Sequence, residues 1–100
     1  MPDDFDDILK AIAHPLRREI LAWLKDPEGS FPEQYHPHEH GVCAGQIIQR
    51  CAMAQSTVSA HLATLQRAGL VTSRKLGQWH FFKRDEAALQ RFLDQLSQQL

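Results

Sequence analysis

The sequence predicts a mainly α-helical domain carrying one small β-hairpin. Three observations support this. Apolar residues recur at helical spacing in five separate segments. Residues 70–84 instead hold strand-favouring residues, Val71, Thr72 and the run Trp79-His80-Phe81-Phe82, around a turn at Gly77. A chain of 100 residues, 43% hydrophobic and 23% charged, fits one soluble globular domain rather than a disordered or membrane-spanning one.

The first helix covers 5–13, with Phe5, Ile8, Leu9 and Ile12 on one face. The aspartates before it, Asp3 and Asp4, suit the positive end of its dipole. His14-Pro15 interrupts it, and Pro15 is well placed to open a second helix. That helix runs to about Leu24. Leu16, Ile20, Leu21 and Leu24 point inward, Arg17, Arg18 and Lys25 point outward, and Trp23 fills the border of the core. Residues 25–42 hold three prolines and two glycines and read as a flexible loop, long for so small a domain.

A third helix covers about 43–51, with Ile47, Ile48 and Cys51 inward. After the turn 52–55 comes a helix from Ser56 to Ala68. Val58, Leu62 and Leu65 form its apolar stripe. Its other side, Ser56, Ser59, Ala60, Ala63 and Thr64, is small or hydroxylated and suits close approach to a partner. Ser56 is a candidate cap and Gly69 a left-handed stop. The last helix, 86–99, carries Leu89, Phe92, Leu93, Leu96 and Leu100, a stripe wide enough to pair with another subunit together with the first helix.

Net charge is −1, but its distribution is uneven. Residues 1–39 hold nine acids against four Lys/Arg, net −5, and residues 85–100 carry net −2. Residues 40–84 hold no acid and six cations, Arg50, Arg67, Arg74, Lys75, Lys83 and Arg84. An acid-free stretch centred on a helix with a small, polar outer face is the expected footprint of a phosphate backbone. No run approaches the ~20 apolar residues of a membrane span. The acidic N-terminus is unlike a secretory leader, so a cytoplasmic location is expected. Cys43 and Cys51 make no disulfide framework. On one helix they would sit ~12 Å apart, beyond the ~7 Å reach of a bridge.

A helix-turn-helix followed by a hairpin is a winged helix, here of five helices and a two-stranded wing. In its segments Leu9-Lys-Ala-Ile-Ala-His-Pro-Leu-Arg-Arg-Glu-Ile-Leu21, Gln55-Ser-Thr-Val-Ser-Ala-His-Leu62, Arg67-Ala-Gly-Leu-Val71 and Arg74-Lys-Leu-Gly-Gln-Trp79, the chain resembles the ArsR/SmtB repressors. The resemblance covers nearly everything except the loop at 25–42. It implies a homodimer that binds double-stranded operator DNA with inverted repeats and represses transcription until a signal releases it. The implied single domain, 1–100, divides into N-terminal helices 1–24, a flexible loop 25–42, a helix-turn-helix 43–68, a wing 70–84 and a C-terminal dimerisation helix 85–100.

Carried onto this sequence, the DNA-reading positions are Gln55, Ser56, Thr57, Ser59 and His61, and the wing contacts are Arg74, Lys75 and Gln78. His61 flanks the inward stripe, where it either reaches phosphate or packs. The dimer interface is expected from Phe5, Ile8, Leu89, Phe92, Leu93 and Leu96. The family's usual metal ligands, a Cys-x-Cys in the third helix or Asp and His in the last, are missing here, so no metal site and no cofactor is expected. His36, His38, His40 and Cys43 offer an alternative, a metal- or thiol-responsive site in the loop. A small effector is possible, and a winged helix serving only as a protein-interaction module is the competing reading. No positioned general base, Gly-rich phosphate loop or nucleophile–base pair supports an enzyme.

Overall fold

The computed structural model describes residues 4–100; Asp3, expected before the first helix, lies outside them. Helix α1 (Asp4–Ala11) turns Ile8 and Ala11 into the core. It stops two residues before its expected end. Arginines of the next helix bond carbonyls at this end: Arg17 donates to Ala11 and to Lys10, which also accepts the Ala13 amide, and Arg18 donates to Ile12 at 2.6 Å. Helix α2 (Pro15–Lys25) opens with Pro15 at its first position, and His14 caps it by accepting the Leu16 amide on Nδ1 at 3.1 Å. Leu16, Ile20, Leu21 and Leu24 are buried, as their spacing predicts. Arg17 does not point freely outward. It is half-buried, because the end of α1 needs its donors.

The segment 25–42 holds more regular structure than the sequence suggests, and it raises the helix count from five to six. A short helix α3 (Pro27–Ser30) is capped by Asp26, whose carboxylate accepts the Gly29 amide at 3.2 Å. Phe31 then enters the core, edge-on to Trp23 at 6.2 Å. Gln34 is buried and fixes the rest of the segment. Its side-chain amide donates to the carbonyls of His36 and Gly41 at 3.0 and 3.1 Å, and its oxygen accepts the Cys43 amide at 2.8 Å. A 3₁₀ turn (His38–His40) leads to Gly41 at φ +105°. A Cβ at Gly41 would lie 2.6 Å from the Phe82 carbonyl oxygen, so glycine is required.

Strand β1 (Val42–Cys43) was not expected. It pairs antiparallel with β3 (Trp79–Arg84), Val42 opposite Phe82 and Cys43 opposite Phe81. Strand β2 (Val71–Leu76) pairs with the other edge of β3, giving the order β1-β3-β2, three strands where two were expected. Between β1 and β2 lie α4 (Ala44–Cys51) and α5 (Gln55–Arg67). Helix α5 ends as expected at Gly69, φ +81°. The Gly69 amide bonds the Gln66 carbonyl and the Leu70 amide the Leu65 carbonyl, each at 3.0 Å, with Leu65 and Leu70 both buried. Helix α6 (Glu86–Gln99), capped by the Asp85 carboxylate on the Ala88 amide, returns to α1, where Phe92 meets Phe5 at 5.3 Å.

Candidate nucleic-acid interface

Val58, Leu62 and Leu65 bury one side of α5, so its helical period fixes what the remaining sides present. Ser56, Ala60, Ala63 and Arg67 lie opposite the buried stripe. Gln55, Ser59 and Gln66 occupy the flank toward the wing, and Thr57, His61 and Thr64 the flank toward α1 and α2. The wing flank is fixed by Gln66, which donates to the Ser73 hydroxyl at 3.0 Å. The other flank is fixed by Arg17, 3.0 Å from His61 Nδ1.

Gln55, Ser56, Thr57 and Ser59 are all exposed on the first turns of α5. The expected cap at Ser56 is not formed. The helix starts one residue earlier, Ala54 occupies the cap position, and no side chain bonds this end. The Thr57 and Val58 amides reach the Ala54 carbonyl, so the amides of Gln55 and Ser56 remain free of intramolecular partners among the described residues. An uncapped helix start with amide, hydroxyl and carboxamide groups suits a phosphate or a base edge.

His61 does not join that group. It is half-buried and turned to α2, its ring 4.5 Å from that of His14. Burial lowers its pKa below the ordinary imidazole value, and the neighbouring His14 and Arg17 push the same way.

The wing presents Arg74, Lys75 and Gln78, all exposed. Arg74 stands opposite Phe81 and Lys75 opposite His80, so the two cations leave opposite faces of the hairpin. Neither forms a hydrogen bond or ion pair among the described residues. The other cations of the acid-free stretch are differently employed. Arg50 lies over Trp23 at 4.7 Å and donates to the Ser30 carbonyl. Lys83 donates to the Glu39 carbonyl at 3.0 Å. Arg84 grips Glu86 through two bonds of 2.9 and 3.0 Å. The six-cation footprint thus narrows to Arg67, Arg74 and Lys75. Arg67 sits on the outer face of α5 with one long contact, 3.4 Å, to Thr64; its charge was counted in the sequence, but its position was not singled out.

The loop alternative is not assembled. His38 bonds the Phe31 carbonyl at 2.7 Å, His36 is wedged against Trp79 and Phe81, and His40 packs on Phe81. Cys43 is 8% exposed, since it lies in β1, paired with Phe81 of β3, and not in an open loop. No cluster of three or more metal-binding side chains occurs among the described residues. Cys51 is half-buried; burial and then Glu19 raise its thiol pKa, which lowers its reactivity.

Of the expected dimer residues, Ile8 and Phe92 belong to the protomer's own core, 5% and 3% exposed, and offer a partner almost nothing. The apolar period marks buried residues but not which body buries them. Phe5, Leu89 and Leu96 are partly buried against that core, while Leu93 is 52% and Leu9 38% exposed.

The sequence pattern of the bacterial regulatory proteins of the arsR family matches residues 41–73, which run from Gly41 into the wing. YbzH of Bacillus subtilis, an uncharacterized HTH-type transcriptional regulator, is 37% identical over 94% of this chain and 96% of its own length. This chain belongs to the ArsR family. It is accordingly a transcriptional regulator with a DNA-binding fold rather than an enzyme. The arsenical resistance operon repressor of Staphylococcus xylosus is 30% identical over 97% of this ArsR-family chain and 77% of its own. Among solved structures, a homodimeric winged helix-turn-helix DNA-binding domain from Mycobacterium bovis superposes with a TM-score of 0.68. It is 24% identical and covers 97% of this chain and 80% of that one. The winged-helix architecture is therefore shared. No helix among the described residues is long and apolar enough to cross a membrane.

Proposed function

We propose that this ArsR-family chain is a homodimeric, sequence-specific repressor that binds an inverted-repeat operator. The observation that carries the reading is the exposed, uncapped start of α5, with Gln55, Ser56, Thr57 and Ser59 on its first turns, in a chain whose wing carries the exposed and unpartnered cations Arg74 and Lys75. Phosphate contacts position such a protein and base-edge contacts specify the site. Arg74 and Lys75 serve the first role, with Gln78 at the hairpin tip. The hydroxyls and carboxamide of 55–59 serve the second, and Ala60 and Ala63 allow close approach.

Dimerisation through α1 and α6 supports the reading, because Leu9 and Leu93 leave apolar surface exposed on both helices. Two α5 helices related by a two-fold axis would enter successive major grooves about 34 Å apart. The repressor role follows the Staphylococcus relative and the homodimer the Mycobacterium one, as analogies.

Fluorescence anisotropy on the DNA upstream of its own gene tests the binding. Affinity is expected to fall by roughly a thousandfold between 50 and 200 mM salt for about six phosphate contacts in the dimer. No binding to any inverted repeat at low salt removes the proposal. A promoter fusion separates repression from activation: output must rise when the protein is absent.

A further inference from the structure

Arg17 stands where α1, α2 and α5 meet. Its Nε donates to the Ala11 carbonyl, and one terminal nitrogen donates to the Lys10 carbonyl at 3.3 Å. The other terminal nitrogen lies 3.0 Å from His61 Nδ1 on the recognition helix. A guanidinium has donors only, so this bond exists only while His61 Nδ1 carries a lone pair. The contact therefore fixes a neutral His61 with its proton on Nε2.

The groups that face His61 are His14, the cap of α2, and Arg17 of α2; Arg17 also lines a neighbouring cleft of about 350 Å³ with Asp7 and Lys10 of α1 and Arg67 of α5. Asp7 is the single acid in that cleft's lining among the described residues. The wing packs on the opposite flank of α5, through Gln66.

We propose that Arg17 and neutral His61 are positioning residues for DNA binding, bracing the recognition helix against α1 and α2, and that protonation of His61 releases the brace, so that DNA affinity falls on acidification. The proposal rests on the DNA-binding reading above and adds a proton response to it.

The direction follows from the geometry. Protonation places an N–H opposite a guanidinium N–H and puts a second cation beside Arg17 and His14. The braced form excludes that proton and the released form accepts it, so the brace strengthens as pH rises. It is complete above the ordinary imidazole value near 6.5 and is lost as pH falls through the lowered value of His61. A direct contact between His61 and phosphate would have the opposite sign, because an imidazolium binds phosphate better than an imidazole.

The experiment uses a duplex selected from a random-sequence pool by the wild-type protein at about pH 7.5. Binding is then measured by anisotropy at constant ionic strength down to about pH 5.5, with circular dichroism confirming the fold, a window that spans the imidazole range. Wild type is expected to lose about tenfold in affinity, equivalent to about 1.4 kcal/mol of binding free energy. His61→Asn, whose carboxamide oxygen accepts from Arg17 without titrating, is expected to bind better than Arg17→Met at the upper pH and to lose most of the acid effect seen in wild type. Arg17→Met is expected to bind weakly at the upper pH and change little on acidification. Tighter wild-type binding in acid, or an undiminished acid loss in His61→Asn, overturns the proposal. A pool that yields no bound duplex removes the DNA-binding reading itself and the proton response with it.

Discussion

Replacing Gln34 by alanine tests whether one buried side chain holds the 31–43 segment against the wing. The side chain makes three hydrogen bonds, two of them to backbone groups that have no access to solvent. Without it, the Cys43 amide and the Gly41 carbonyl are left buried and unpartnered. Each such group costs roughly 1–3 kcal/mol. Water entering the vacated space recovers part of that, because the neighbouring His36 carbonyl is only part-buried. The expected loss is about 2–4 kcal/mol, out of roughly 5–15 kcal/mol for a domain of this size. At about 4–8 °C per kcal/mol, the melting temperature should fall by roughly 10–25 °C.

Urea and thermal unfolding measure the loss directly. Gln34→Glu separates the donor from the acceptor. A carboxylate can still accept the Cys43 amide but faces two carbonyl oxygens where the carboxamide donated, so its loss should equal or exceed that of alanine. Acid should partly rescue it, since a protonated carboxyl can donate to one of them. If Gln34→Ala unfolds within about 0.5 kcal/mol of wild type, the ordinary range of a surface substitution, the three bonds do not hold the segment and the reasoning fails.

Three further outcomes are expected. Gly41→Ala should cost about 2–3 kcal/mol in urea unfolding, because a Cβ meets the Phe82 carbonyl at 2.6 Å and the backbone stays at φ +105°. Arg74→Ala with Lys75→Ala should weaken binding to all DNA sequences alike and reduce the dimer's salt slope by about four, two contacts from each protomer, whereas Arg50→Met should lower the melting temperature and leave the slope unchanged; the opposite ranking would return the footprint to all six cations. Leu93→Glu, read by analytical ultracentrifugation, should shift the protein toward monomer with unaltered circular dichroism, and an unshifted dimer would place the interface elsewhere.

The sequence was most informative where structure depends on neighbouring residues. Val58, Leu62 and Leu65 announced α5 by period alone, Pro15 announced the start of α2, and Gly69 and Gly77 marked the helix stop and the hairpin tip. What it hid depends on partners far along the chain. Strand β1 is two residues long and exists only because β3, about 40 residues later, offers an edge. Arg17 looked like a solvent-facing cation because its partners, the end of α1 and His61 44 residues away, are not periodic features. Arg50 and Arg84 looked like phosphate ligands for the same reason: charge is legible in a sequence, whereas an aromatic face or a glutamate that occupies it is not. Helix α3 had a visible signal, Asp26-Pro27, a cap followed by a first-turn proline, but two helical breakers within four residues outweighed it. At the site, the exposed Gln55, Ser56, Thr57 and Ser59 and the flanking place of His61 follow from the helical period, while the choice of Arg17 and His14 as His61's neighbours does not.

The recognition helix is consequently held from both sides. Gln66 joins it to Ser73 of the wing, and His61 joins it to Arg17 and through that residue to α1. The wing in turn is backed by the 31–43 segment, whose His36 and His40 cover Phe81 so fully that it is 1% exposed although it lies in the hairpin. A side chain fixed before binding loses less freedom on binding, at roughly 0.5–1.5 kcal/mol for each that need not be ordered. On the proposed reading that matters because few polar groups would meet DNA: Gln55, Ser56, Thr57 and Ser59, with the cations Arg67, Arg74 and Lys75, in each protomer. With so small a set, discrimination depends on where the groups are held. In the proposed dimer α1 and α6 would set the spacing between the two α5 helices, and Arg17 ties α5 to α1 through the Lys10 and Ala11 carbonyls. On that reading a change in the Arg17–His61 contact would alter the angle at which both α5 helices meet DNA, and not only remove one hydrogen bond.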